Sequence, residues 1–372
     1  MSAGRRPLIA AAFGMASALS LSCVLLGNGA SMFFGGNPGD SGSPTPFLPA
    51  SSTPTPFMPS LATQLAPFLQ ETPGAGEPLV PPTPYAGVPP WSPYAGPIYP
   101  APTAIPSPAQ PFELGDDVLN IALLGSDMRP FGSSYRTDTI MILSLNRSRG
   151  TATLISFPRD LYVYIPAYTM QRINVAFPIG YTLGYEGGSF GLFQDTMMYN
   201  FGLRVDHWVR VNFSGFTGLV DSLGGIDVPV AQTLTDKRKG YGDYTVYPGV
   251  AHMDGATALW YVRSRYSTSD FDRERRQQEV ILGFANRLLS LNALANMPGF
   301  FDQLRQFVDM DLAFQDLAPF VTMATSVRPD NVRRYRIVSP AQCYGWITPA
   351  GADVQLPIPD AIRNLLQEAL YP

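Results

Sequence analysis

Three short segments of this 372-residue chain place carboxylates and guanidiniums where phosphate chemistry would need them. The first is Gly125-Ser126-Asp127-Met128-Arg129, followed by Arg136-Thr137-Asp138. Asp127 and Asp138 fall at the same end of neighbouring predicted strands. Two carboxylates, completed by substrate phosphate oxygens and waters, suit an octahedral Mg²⁺ ion. Capping of a loop by Asp is the plainer use of the same residues. The second segment is Phe157-Pro158-Arg159-Asp160, where proline ends a strand and leaves Arg159 at that sheet edge or paired with Asp160. The third runs from Tyr261 through Arg263 and Arg265 to Asp270, Arg273, Arg276 and Gln277. If extended, Arg263 and Arg265 project on one face, being two apart. Arg273 and Gln277 are i and i+4 on a helix, hence on one face, with Arg276 near it. Guanidiniums at a helix start suit a pyrophosphate, through bidentate bonds and the helix dipole. Asp270, Asp272, Glu274 and Glu279 are interleaved with them, which equally describes a salt-bridged solvent helix.

These residues need a scaffold that brings three strand ends and a helix start together. Apolar and β-branched density predicts strands over 118–124, 139–145, 151–157, 208–213, 226–230 and 333–338. Residues 146–150 have hairpin chemistry. Helical patterns cover 188–201, 214–223, 255–261, 272–291, 300–326 and 359–369, with Pro359 suited to a first turn. Strands alternate with helices, which predicts an α/β class: one three-layer domain over 113–372 with a mixed central sheet.

The rest of the chain has a different texture. Arg5 and Arg6 precede an uncharged apolar run, 7–27, long enough to cross a bilayer. Positive charge ahead of it predicts a single-pass anchor over 1–27, with its N-terminus in the cytoplasm and the domain outside. A cleaved signal peptide is the rival reading. Residues 28–112 are Pro-rich, repeat PTPF and PYAG, and predict a disordered spacer. Net charge is −4 with only two lysines, Lys237 and Lys239, so no basic face for nucleic acid is expected. Two cysteines and two histidines suggest neither a disulfide framework nor a zinc site.

Taken in order, the segments resemble the LytR-CpsA-Psr family of cell-wall glycopolymer ligases. The resemblance covers 119–289. It rests on Leu123-Leu124-Gly125-Ser126-Asp127, Arg136-Thr137-Asp138-Thr139, Ser156-Phe157-Pro158-Arg159-Asp160 and Arg172-Ile173-Asn174. Further stretches are 206–213, 221–228, 255–265, Arg273 and Arg276-Gln277-Gln278.

The resemblance implies an α/β/α domain with an apolar tunnel for a polyprenyl chain. It implies transfer of a glycopolymer from polyprenyl pyrophosphate to a peptidoglycan sugar hydroxyl. By matching motifs, Asp127 and Asp138 would hold Mg²⁺ or Mn²⁺. Arg136, Arg159, Arg263, Arg265, Arg273 and Gln277 would grip the pyrophosphate. Apart from the motifs, Asp270 is a candidate to accept the acceptor's proton. Asn212 stands where the family usually has Asp, and Val175 and Phe177-Pro178 replace smaller residues, which would alter lipid or acceptor fit. A phosphatase on the same lipid and a non-catalytic precursor-binding module are the alternatives. No Lys-bearing phosphate loop is present for a kinase.

Overall fold

The computed structural model describes residues 103–127, 136–265, 267–291, 297–316, 318 and 332–371. The expected anchor over 1–27 and the spacer up to 102 lie outside the described residues. Among those described, no helix is long and apolar enough to cross a membrane.

In chain order, β1 (Val118–Ser126), β2 (Thr137–Asn146) and β3 (Thr151–Phe157) form a meander. A small hairpin follows, β4 (Tyr162–Ile165) with β5 (Thr169–Arg172), then α1 (Ala176–Thr182) and α2 (Gly188–Phe201). Next come β6 (His207–Asn212), α3 (Phe213–Ser222) and β7 (Ile226–Val230). The hairpin of β8 (Leu234–Arg238) and β9 (Gly242–Val246) leads to β10 (Gly249–Met253), which pairs with β7. Helices α4 (Gly255–Arg263), α5 (Asp270–Ser290) and α6 (Met297–Leu304) precede β11 (Asp309–Met310) and β12 (Arg333–Arg336). A last hairpin, β13 (Cys343–Ile347) with β14 (Asp353–Pro357), leads to α7 (Pro359–Leu370).

The main sheet has six strands in the order β11-β6-β1-β2-β3-β12. β6 runs parallel to β1 and β12 parallel to β3, while the other pairs are antiparallel. The sheet is therefore mixed, as expected. Successive residues of β1 point to opposite faces. Ala122 and Leu124 join a core with Phe177 of α1, Leu192 and Met197 of α2 and Leu366 of α7. Ile121 joins Phe301 of α6 and Leu312 on the other face. Burial on both faces explains why these strands read as near-continuous apolar runs.

Three differences from the sequence reading have physical causes. The packed chain begins before 113: Ile105 and Phe112 are buried, and Phe112 N–H donates to Gly202 O at 2.9 Å. A Pro-rich composition hides the few apolar residues that tie this strap down. The helical stretch expected over 300–326 breaks after Leu304, and Asp309–Met310 adds an edge strand to β6. Asp309 there meets Arg210 at 2.7 Å, and Asp311 accepts the Trp208 N–H at 2.8 Å. Phe177, expected to affect ligand fit, is buried core packed edge-on against Phe193 and Trp208.

Candidate active site at the strand ends

The site begins with an irregularity. Gly125 pairs with Thr139 but Ser126 pairs with Thr137, so Asp138 is the extra residue of a β-bulge. Bulges re-aim side chains, and they recur beside active sites. Asp138 Oδ2 lies 3.3 Å from Arg159 Nη1, and its Oδ1 accepts from Asn174 Nδ2 at 3.3 Å. Asp127 sits across the same bulge. Its Oδ1 accepts the Arg136 N–H at 2.7 Å, and its own N–H donates to Arg136 O at 3.3 Å. That pair of bonds joins the two residues flanking 128–135, which lie outside the described residues.

Arg159 follows directly where Pro158 stops β3. Its Nε lies 3.2 Å from Asp160 Oδ2 and 3.1 Å from Asp270 Oδ2. Burial works against its charge, but Asp160, Asp138 and Asp270 outweigh that and raise its pKa above the ordinary arginine value. Asp160, the expected partner, is one of three and is itself held by Arg172 Nε at 3.3 Å.

The start of α5 completes this network. Ser269 caps the helix, accepting the Asp272 N–H at 3.2 Å. Asp270 faces a guanidinium with each oxygen: Arg159 with Oδ2 and Arg273 Nη1, at 3.2 Å, with Oδ1. Arg273 is buried and donates to the Asp138 carbonyl at 3.4 Å. Burial lowers the Arg273 pKa, with Asp270 opposing. Gln277 is buried one turn further along. The bulge carboxylate, the β3 end and the α5 start, far apart in sequence, thus form one ion network.

Arg263, Arg265 and Arg136 differ from these. All three are exposed, with no carboxylate partner among the described residues. The expected extended pair is not extended at Arg263, which is the last residue of α4; its guanidinium lies 4.0 Å from the Phe213 ring centroid. Only Ser264, at φ −56° and ψ 133°, starts the extended path to Arg265. Helix capping by Asp254, which accepts the Thr257 N–H at 2.7 Å, favours the helix here.

Arg276 does not belong with the phosphate-facing residues. It is fully buried and donates to Tyr261 O, Ser264 O and Thr268 Oγ1, strapping down the loop that carries Arg265. Burial lowers its pKa, with Asp272 opposing. Arg275 bridges Asp272, at 2.6 Å, and Glu279, so the expected salt bridges exist, but on a buried stretch.

Sequence reasoning also passed over three residues that shape the site. Arg172 and Asn174, quoted only as part of a motif, hold Asp160 and Asp138. Glu274 is 5% exposed, and burial pushes its carboxyl up to about 8, with Arg336 and Arg273 opposing. Nothing in a run of charged residues signals a buried acid.

The donor set fits a hard cation. Asp127 and Asp138 offer carboxylate oxygens at one bulge, and Asn174 Oδ1 beside them is buried without a hydrogen-bond partner. Among the described residues, no three His, Cys, Asp or Glu side chains form a metal cluster by themselves. Phosphate oxygens and waters would have to complete the shell.

The LytR_cpsA_psr family model matches residues 104–352. The chain belongs to the LytR_cpsA_psr family. This LytR_cpsA_psr chain is 33% identical over 214 residues to the polyisoprenyl-teichoic acid–peptidoglycan teichoic acid transferase TagU of Oceanobacillus iheyensis. That match covers 57% of this chain and 64% of the relative, just under two thirds of its length. Against TagT of Bacillus subtilis, named for the same activity, identity is 30%, covering 60% of this chain and 70% of that one. A solved structure of TagT bound to LIIa-WTA superposes with a TM-score of 0.54 at 26% identity, covering 72% of this chain and 97% of that one. TagV of B. subtilis, at 22% identity and a TM-score of 0.56, covers 69% and 99% respectively and shares the fold.

Proposed function

We propose that this chain transfers a glycopolymer from a polyprenyl-pyrophosphate carrier to a peptidoglycan sugar hydroxyl, outside the cytoplasm. The observation that carries it is a split set of arginines: Arg159 and Arg273 locked by carboxylates at the strand ends and the α5 start, and Arg136, at the base of the bulge, with Arg263 and Arg265, in the segment before α5, exposed and without a carboxylate partner among the described residues. The transferase activities for which the relatives are named support the same reading.

In this mechanism the acceptor hydroxyl oxygen attacks the phosphorus that bears the glycan. The bond from that phosphorus to the bridging oxygen breaks, and polyprenyl phosphate leaves with the electron pair. The hydroxyl proton goes to a nearby base, for which Asp270 is the sequence's nominee. The open guanidiniums would bind non-bridging phosphate oxygens through forked, charge-assisted bonds. The Arg159–Asp138–Asp270–Arg273 network would keep the surrounding groups from rearranging as charge shifts, so positioning and electrostatics do most of the work. Asp127 and Asp138 would hold Mg²⁺ or Mn²⁺, which when bound neutralises phosphate charge. An apolar tunnel of the kind the family resemblance implies would take the lipid, and an anchor over 1–27 would hold the domain at the outer face of the membrane.

The test is transfer of a labelled glycan from polyprenyl pyrophosphate to peptidoglycan by the full chain, with Mg²⁺ titrated. Asp127→Asn should raise the Mg²⁺ needed for half-maximal rate, since an amide is a poorer ligand than a carboxylate. An unchanged Mg²⁺ requirement would remove Asp127 from the metal. Release of glycan phosphate without acceptor incorporation would mark a phosphatase instead.

A further inference from the structure

We infer that the β8–β9 hairpin, with Trp260, forms an outer subsite for an anionic glycan whose sugars are joined by phosphodiesters. This rests on the proposed transfer, and names where the polymer beyond the reacting unit would lie.

The hairpin pairs only with itself and stands apart from the main sheet. Leu234 and Val246 anchor its base in a core with Val228 and Tyr261. Its tip is built differently. Gly240 and Gly242 adopt φ of +85° and +73°, a region that favours glycine, and hold Tyr241 between them at 64% exposure. The Arg238 guanidinium lies 4.4 Å from the Tyr241 ring centroid and 4.6 Å from that of Tyr244. Tyr244 then meets Trp260 edge-on at 5.0 Å, and Trp260 Nε1–H donates to Lys237 O at 3.0 Å. The result is a row of rings and cations along one hairpin and one helix.

Charge distinguishes this row from ordinary packing. Both lysines of a chain with net charge −4 fall here, flanking Arg238 in the run Lys237-Arg238-Lys239. Lys237 pairs with Asp243 at 2.7 Å, whereas Lys239 is exposed with no carboxylate partner among the described residues. Flat rings accept the apolar faces of sugars, and adjacent cations attract phosphodiesters. A neutral glycan would use the rings and gain nothing from the lysines.

Position joins the row to the reaction site. Trp260 and Arg263 are i and i+3 on α4, neighbours on the helix surface. Arg238 Nη2 also donates to Thr257 Oγ1 on that helix at 2.9 Å. A polymer whose pyrophosphate met Arg263 could therefore continue along α4 onto the hairpin.

The test needs no lipid carrier, so it is independent of transfer. The full chain in detergent is titrated with soluble poly(N-acetylglucosamine 1-phosphate), with chitin oligosaccharides as the neutral control. Vesicles of phosphatidylglycerol and phosphatidylcholine form the membrane arm. The wild type should bind the phosphate polymer in preference to chitin. Tyr241→Ala with Lys239→Glu should weaken that binding about tenfold or more at unchanged melting temperature. Lys239→Ala alone should weaken it less and reduce its salt sensitivity. Equal binding by wild type and double variant overturns the inference. So does binding to anionic vesicles without binding to the polymer, which would make the hairpin a lipid contact. Loss of transfer in the wild type with polymer binding intact would instead count against the proposed function.

Discussion

Within the stretch 263–278, arginines of one chemical type sit in two different environments. Arg263 and Arg265, at the end of α4 and in the following loop, are exposed and have no carboxylate partner among the described residues. Arg273, Arg275 and Arg276, on the first turns of α5, are paired or bonded to carbonyls, and Arg273 and Arg276 are buried. A guanidinium removed from water is costly unless it is paired, so Arg273 and Arg276 are held by carboxylates and carbonyls of the scaffold, although the Nε of each has no hydrogen-bond partner. A guanidinium left in water keeps its donors for a ligand. The salt-bridged reading therefore describes the α5 half of this segment, and the exposed half is where the proposed pyrophosphate contact has to be tested.

The strongest way to break the contrast is to remove a buried member. Arg276→Ala removes the donor to the Tyr261 and Ser264 carbonyls and the partner of Asp272 Oδ2, and should cost about 3–5 kcal/mol of stability in a denaturant titration. A loss as small as that of a surface arginine would show that the strap is not a structural tie.

Glu274 tests the same buried layer through pH. Its folded pKa of about 8 stands above the ordinary value of 4.5, so between these the folded chain keeps a proton that the unfolded chain releases. Its contribution is fully present below about pH 4.5 and is lost as pH rises through about 8. Glu274→Gln keeps the shape and removes the titration. The variant should gain on the wild type as pH rises from about 4.5 to about 8, by an amount on the order of a few kcal/mol that then stays constant, seen in melts across pH. Parallel pH–stability curves for the two proteins would count against a buried neutral acid.

The exposed half should behave in the opposite way. Arg265→Lys keeps the charge but loses the planar fork. Transfer should fall by about 1.5–3 kcal/mol of barrier, roughly ten- to a hundredfold, with the melting temperature unchanged. A drop in stability instead would move Arg265 into the scaffold.

The smallest effect concerns Asn212, which stands where the family usually has Asp. Its Oδ1 accepts the Gly215 N–H at 2.8 Å as the N-cap of α3. Asn and Asp cap about equally well, so Asn212→Asp should be nearly neutral, whereas Asn212→Ala should cost about 1 kcal/mol in the same melts.

Much of this was legible in the residues. The strands β1, β2, β3, β6, β7 and β12 and the helices α2 to α5 and α7 follow from local pattern, because apolar periodicity and caps act within a few residues. So does the placing of Asp127, Asp138 and Arg159 at strand ends, since Pro158 and the polar breaks mark where strands stop. The short hairpins β4–β5 and β13–β14 were not legible, because each is held by packing rather than by its own propensity.

What only the tertiary structure decided is which charges are free. Arg159 meets Asp270, 111 residues away in sequence, and Gln278 meets Ser156 at 2.8 Å, 122 residues away. Charge type is written in each residue, but the cost of leaving a charge unpaired depends on burial. Burial is set by which strands and helices close over it, and no local pattern carries that information.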